Sequence, residues 1–306
     1  MERKNNWKAW LYLSPVIILM AVFTFYPLIN TIGISFLRDY DYTTGANAGF
    51  TFDNFGYVLG LTGIERNGQM VFYTDVIRYA IPNTLIIVFV TVPLSIIVAL
   101  LIAVGLNSIR WLKSIFQTIF FMPYVTNAIA VGMVFAVIFD YNGLWNFLFG
   151  MNNTYWINGG ASSANGMFAL CVYIVWHALP YKILIFLSGL QNIDKQYYQA
   201  AQIDASPRWK TLMNVTVPLL SPQILYIMIT SFIGSFKEYS SIVGLFGKSG
   251  TSGQGYNNMY TVVYYIYDSI KNNNTHLGSA AAVMLFLVIL VFTVIQFKVS
   301  KTRVHY

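Results

Sequence analysis

Three charged side chains, Lys182, Lys237 and Glu238, stand inside otherwise apolar stretches. A charge at membrane depth costs about 2.5–3.5 kcal/mol on insertion scales, so it marks a solute path, a polar cavity or a subunit contact. On a helical wheel, Thr230, Ser231, Gly234, Ser235, Lys237, Glu238 and Ser241 fall within an arc of roughly 160°. Phe232, Phe236, Tyr239 and Val243 fall on the other side. A helix surrounded by lipid would not carry such an arc, so this one is expected to face a water-filled cavity or another subunit. The chemistry on offer is binding: hydroxyls and charges for hydrogen bonding, and aromatic faces for stacking. Lys182, Ser235, Lys237, Glu238 and Tyr239 are therefore the candidates for a substrate path, with subunit-interface pairing as the alternative for Lys237 and Glu238. At about 1.5 Å per residue, Glu238 lies about 24 Å along its helix and Lys182 about 12 Å from the end of its own, so a direct ion pair is not expected. Lys182 is expected to snorkel or to face the cavity.

Bond-making chemistry finds no support. His177, Asp140, Lys237 and Glu238 form neither a carboxylate pair nor a histidine cluster. The three histidines, His177, His276 and His305, are far apart, and the single cysteine, Cys171, sits in an apolar run. No metal site, disulfide framework or catalytic residue is expected. No phosphate-binding Gly-x-x-x-x-Gly-Lys-Ser/Thr loop occurs either.

The elements that must position the charged residues are long apolar helices joined by one elaborate connection. From Asn192 to Pro222 the sequence spells two short helices. Asn192 or Asp194 is expected to cap the first, which runs toward Ile203. Ser206-Pro207 starts the second, and Val217-Pro218 stops it. Trp209, Leu212, Met213 and Thr216 recur three and four apart and form one face. A plain membrane connection could be far shorter than this elbow.

Composition bounds the class. The chain is 57% hydrophobic and only 9% charged over 306 residues, against about 25% charged in average soluble domains. It is expected to be an all-α polytopic membrane protein. Six segments suffice to span: 10–36, 80–105, 114–139, 167–190, 222–246 and 277–297. The first is too long for a signal-peptide core and reads as an uncleaved span. Pro15, Pro27, Pro123 and Pro180 are expected to kink or start helices.

Six spans put both termini on one side. That side carries Arg3, Lys4, Lys8, Arg110, Lys113, Lys195, Arg208, Lys210, Lys298, Lys301 and Arg303. The longer loops opposite, 37–79, 140–166 and 247–276, carry only Arg38, Arg66, Arg78, Lys248 and Lys271. The positive-inside rule then places both termini and the elbow in the cytoplasm. This placement accounts for the net charge of +7 without nucleic acid. The last loop opens with a glycine-rich stretch, Gly247 to Gly255, followed by an aromatic segment, Met259 to Tyr267.

The elbow also carries a motif. Tyr198-Gln-Ala-Ala-Gln-Ile-Asp204, then Val217-Pro218 and Pro222, resembles the EAA loop of binding-protein-dependent ABC importer permeases. The flanks, Ile185 to Ile193 and Gly278 to Leu287, resemble the carbohydrate (maltose and multiple-sugar) branch. The likeness covers about residues 80–298, behind a first span and loop at 1–79 and ahead of a tail at 299–306. Gln199 stands where the family usually has Glu, and Asp194 where Pro is common. Ala205 and Ser206-Pro207 replace the family's Gly-Ala and the residues next to it. The loss of Gly is tolerable if the turn needs no positive φ.

The resemblance implies a type I importer permease with six transmembrane helices, in the cytoplasmic membrane of a prokaryote. Its partners would be a second homologous permease, expected to differ in sequence and form a heterodimer, two cytoplasmic ATPases, an extracytoplasmic solute-binding protein and membrane lipid. ATP and Mg2+ would be bound by the ATPases and no cofactor by this chain. The elbow would dock in an ATPase groove through Tyr198, Gln199, Ala200, Asp204, Pro207, Arg208, Trp209, Leu212 and Met213. Trp209, Leu212 and Met213 would be the apolar anchor; the alternative is a helix resting on lipid headgroups. The implied cargo is a sugar or oligosaccharide, with glycerol phosphate or another polyol-like solute as the alternative. A self-sufficient channel or secondary transporter would need no such elbow.

Overall fold

The computed structural model describes residues 6–66, 69–72, 75–109, 113–151, 154–247, 250–252 and 258–300. Arg3, Lys4, Arg110, Lys248, Lys301, Arg303 and most of the glycine-rich stretch lie outside them. In chain order the principal helices are α1 (Trp7–Ser35), α2 (Asp53–Val58), α3 (Val76–Ser108), α4 (Lys113–Val125), α5 (Ala128–Ile138), α6 (Leu144–Phe149) and α7 (Ser163–Gln191). Then come α8 (Lys195–Ile203), α9 (Arg208–Leu219), α10 (Ser221–Phe236), α11 (Ser240–Phe246), α12 (Val262–Lys271) and α13 (Thr275–Ser300). Among the described residues, one pair of short strands, β1 (Ile64–Arg66) and β2 (Gln69–Val71), lies antiparallel.

Among the described residues four helices, α1, α3, α7 and α13, are long and apolar enough to cross a membrane unbroken. Two expected spans are not single helices. The stretch 114–139 divides into α4 and α5, whose axes turn by 108° across Thr126 and Asn127. The stretch 222–246 ends its helix at Phe236 and resumes at Ser240 as α11. Counting each bent pair, α4 with α5 and α9 with α10, as one span gives six.

Prolines shape the long helices in a regular way. Pro27, Pro82, Pro93 and Pro218 each come two residues after a five-residue π-helical turn: Ala21–Phe25, Val76–Ala80, Ile87–Thr91 and Leu212–Thr216. Proline lacks an N–H, and its ring crowds the carbonyl four residues back. In each case that carbonyl lies at the centre of the π turn, where the wider backbone makes room for the ring. Helix α9 therefore passes through Val217-Pro218 and ends at Leu219, so these residues do not act as the stop that their sequence predicts.

The chain forms two compact units, Met1–Thr74 with Tyr265–Leu287, and Asp75–Tyr264 with Val288–Tyr306. In the first, α1 leaves nearly all its side chains exposed, which suits lipid as its solvent. The segment after it is tied down locally. Asn54 donates to Ser35 O and Leu37 O at 2.9 and 2.8 Å, and the Phe36 and Phe50 rings stack at 5.5 Å. Arg38 pairs with Asp53 at 2.5 Å on the surface. The Thr51 hydroxyl, and then the Arg38 guanidinium, hold the Asp53 carboxyl below its ordinary range.

The second unit has its core where α3 lies against α7. Ala99, Ala103 and Leu106 meet Ile183, Phe186, Leu187 and Leu190, with Leu220 and Ile227 closing the cluster. Ser95, Ala99 and Ala103 recur every fourth residue and are all buried. Small residues at that spacing let helix backbones approach, which is how helices gain packing energy where no water is displaced. Asn83 fastens the start of α3 to the chain before α12, donating to Asn258 O and Tyr260 O at 2.8 and 2.9 Å.

Candidate functional site

One cavity lies where the interrupted spans meet the unbroken helix α7. At the first break, Asn127 leaves the helical region, and its side-chain oxygen accepts from Ile129 N and Ala130 N at 2.9 and 3.4 Å. This caps the new helix α5. At the second break, Lys237 N and Glu238 N close the last turn of α10 on Gly234 O and Ser235 O, at 3.0 and 3.3 Å. Glu238 Oε1 then accepts from Ser241 N at 3.1 Å and caps α11. Thr261 holds the break from behind, donating to Glu238 O at 2.8 Å. Helices α5 and α11 meet at two glycines: a Cβ on Gly132 would lie 2.7 Å from Gly244 Cα. Only a residue without a side chain permits that crossing.

The cavity measures about 280 Å³. Helix α7 lines it with Ile174, His177, Ala178, Tyr181 and Lys182; α10 contributes Thr230, Ser231, Gly234 and Ser235; Tyr124, Glu238 and Ser241 complete it. The rings of Tyr124 and Tyr181 stack at 5.6 Å, and the Tyr181 and Tyr226 hydroxyls lie 2.9 Å apart. Lys182 is 4% exposed and its ammonium donates to Ser95 Oγ. Ser95 in turn donates to Thr91 O at 2.5 Å. His177 Nε2 is buried and has no hydrogen-bond partner.

The elbow is a second site, built from α8, α9 and the turn between them. Of the two expected caps it is Asp194 that works, accepting from Gln196 N at 2.9 Å. Ser206 does not cap α9: Pro207 occupies the cap position, and Ser206 N returns to Ala201 O at 3.0 Å. That return requires Ala205 to take φ +49°. The turn thus does need the left-handed conformation that glycine supplies without strain. Tyr198 ties the two helices together, its hydroxyl 3.3 Å from Thr216 Oγ1.

Residues 91–305 match the family described as the binding-protein-dependent transport system inner membrane component. The chain belongs to this permease family. Over 95% of its length the permease is 30% identical to the arabinooligosaccharides transport system permease AraP of Bacillus subtilis, covering 88% of that protein. It is 28% identical to the lactose transport system permease LacF of Rhizobium radiobacter, over 99% of this chain and 97% of the other. A bacterial ABC transporter involved in import of the acidic polysaccharide alginate shares its fold, with a TM-score of 0.76 at 19% identity over 98% of this chain and 96% of that one.

The permease gathers some of the sequence candidates and separates others. Lys182, Ser235 and Glu238 line the cavity with the rest of the polar arc. Lys237 is exposed and lies off it, and Tyr239 packs on Tyr264 with ring centroids 5.4 Å apart. The wheel assumes one helix through all these positions. The backbone leaves that geometry after Phe236, so Lys237 points elsewhere while Glu238 and Ser241 reach the cavity from a new helix.

On the elbow, Gln199, Ala200, Asp204, Pro207, Arg208, Trp209 and Met213 are exposed. Leu212 is buried within the chain, as is Thr216, so the expected single face divides. Leu212 cannot serve as an outward anchor.

The structure adds side chains to both sites that the sequence candidates lack, Tyr124 among them. His177 and Tyr181 belong to the row 174, 177, 178, 181, 182, whose three-and-four spacing could have revealed a cavity face. On the elbow, Tyr197 and Ile203 are 54% and 86% exposed beside Trp209 at 62% and Met213 at 43%.

Proposed function

We propose that this permease carries a sugar or short oligosaccharide across a prokaryotic cytoplasmic membrane by alternating access. Energy comes from ATP and Mg2+ bound by two separate ATPase subunits; this chain holds no cofactor and does no covalent chemistry. The observation that carries the reading is a cavity beside two broken helices, with hydroxyl, imidazole and charged side chains among its lining. Interrupted spans with capped half-helices are the usual way to place polar groups at membrane depth without orphaned backbone. At about 280 Å³ the cavity lies just below the usual range of small-molecule sites and suits a short saccharide segment.

The elbow is the ATPase-coupling surface, with Trp209 and Met213 as the apolar plug and Tyr198, Gln199, Ala200, Asp204, Pro207 and Arg208 around it. Basic residues concentrated beside the elbow and termini favour a cytoplasmic position for all three. Gln199, in place of the family's Glu, favours pairing with a different permease that carries the standard residue. The solute-binding protein delivers cargo to the opposite face. The reported complex of the alginate transporter with an alginate-loaded periplasmic protein supports that arrangement.

Reconstitution of permease pair, ATPases and binding protein should show sugar-stimulated ATP hydrolysis. ATP turnover indifferent to every neutral sugar would contradict the proposal. A phosphorylated polyol is the second reading, favoured by 27% identity to the sn-glycerol-3-phosphate permease UgpA of Rhizobium meliloti.

A further inference from the structure

The cavity lining bears on the charge of the cargo, an inference that rests on the cavity being the transport path. Two charged groups line it, Lys182 and Glu238; the lysine is buried, whereas the glutamate is only half-buried. The Lys182 ammonium is drawn against the α3 wall by Ser95, whose own proton goes to Thr91 O. One Glu238 oxygen takes the Ser241 amide, while its carboxylate remains a cavity wall. Among the described residues no further lysine or arginine lines the cavity.

A phosphate or uronate entering such a site would also look for unsatisfied amides at a half-helix N-terminus. Both candidates are already occupied from within. Asn127 takes the Ile129 and Ala130 amides, and Glu238 takes that of Ser241. An anion would therefore meet the negative charge of Glu238, with the Ser241 amide beside it already taken. A neutral sugar meets partners that suit it. The hydroxyls of Thr230, Ser231 and Ser235 exchange hydrogen bonds with sugar hydroxyls. Tyr124 and Tyr181 present aromatic faces to a sugar ring. The shared fold does not decide this point, since the alginate transporter has the same fold and an acidic cargo.

We propose that the cavity selects uncharged saccharides and that Glu238 is the specificity-determining residue that turns anionic ones away. The test uses the complete importer in proteoliposomes, with ATP inside and the binding protein outside. Uptake of galactobiose is compared with that of its anionic counterpart digalacturonate, and of glycerol with glycerol 3-phosphate. The binding protein is the same throughout, so its own preference cancels in the ratio of variant to wild type.

Glu238→Gln keeps an oxygen for the Ser241 amide and removes only the charge. It should raise the anionic-to-neutral uptake ratio about tenfold, as expected for relieving one close like-charge contact at a partly buried site. Glu238→Asp keeps the charge and should retain the wild-type ratio. An unchanged ratio in Glu238→Gln, or the same increase in Glu238→Asp, would overturn the charge filter. Absence of ATP-dependent uptake by wild type for lactose, arabinobiose and all four test solutes would instead overturn the transport reading beneath it.

Discussion

Ala205 carries the clearest strain in the elbow. An L-residue in the left-handed region costs about 1–2 kcal/mol, and glycine escapes that cost at an entropic penalty of about 0.5–1 kcal/mol. Ala205→Gly should therefore stabilise the folded chain by about 0.5 kcal/mol, and Ala205→Val, being β-branched, should destabilise it by more than about 1 kcal/mol. Thermal unfolding of the detergent-solubilised permease measures both. The identity of residue 205 is plain in the sequence, but its φ is not. Only the return bond from Ser206 N to Ala201 O fixes it.

The outward anchors make a different prediction. Trp209 and Met213 are exposed, so replacing both by Ala should leave the unfolding midpoint nearly unchanged, within about 0.5 kcal/mol per site. Leu212→Ala should lower it by about 2 kcal/mol or more, since that side chain is buried within the chain. Spacing alone puts the three on one face. Leu212 and Met213 are adjacent and so lie about 100° apart around the helix axis, and one turns into the chain while the other faces out.

At the scale of elements, the long unbroken helices were legible and the breaks were not. Hydropathy over 80–105 or 167–190 is continuous, and the observed helices α3 and α7 extend a few residues past both limits. The stretches 114–139 and 222–246 are also long enough to span, yet each is cut. Hydropathy records burial in lipid and says little about backbone direction. They are cut by capping at Asn127 and Glu238, together with the close crossing of α5 and α11. That crossing is testable. Gly132→Ala or Gly244→Ala places a methyl against backbone that cannot yield. Each should cost about 1–3 kcal/mol, read as a lower unfolding midpoint, with loss of uptake as the two half-helices separate. The proline-linked π turns were likewise only half legible. Pro27 and Pro218 are both plain in the sequence, and Pro218 reads as a stop, whereas backbone widening lets both helices continue.

For the whole molecule, low charge and long apolar runs were enough to establish a polytopic helical chain, because a soluble globule of this size could not be covered with so few charges. The arrangement of the polar minority was harder to foresee. Half of the cavity lining lay in the wheel arc; Tyr124, His177 and Tyr181 came from other helices, brought there by tertiary packing. The central claim is that transport through this cavity is driven through the elbow. It is tested most directly by sugar-stimulated ATP hydrolysis and uptake in the full reconstituted importer, wild type against Trp209→Ala with Met213→Ala. The account predicts that the double variant folds and inserts normally but loses stimulation and uptake together. Undiminished uptake by the double variant, or uptake that persists without ATPase subunits, would contradict it.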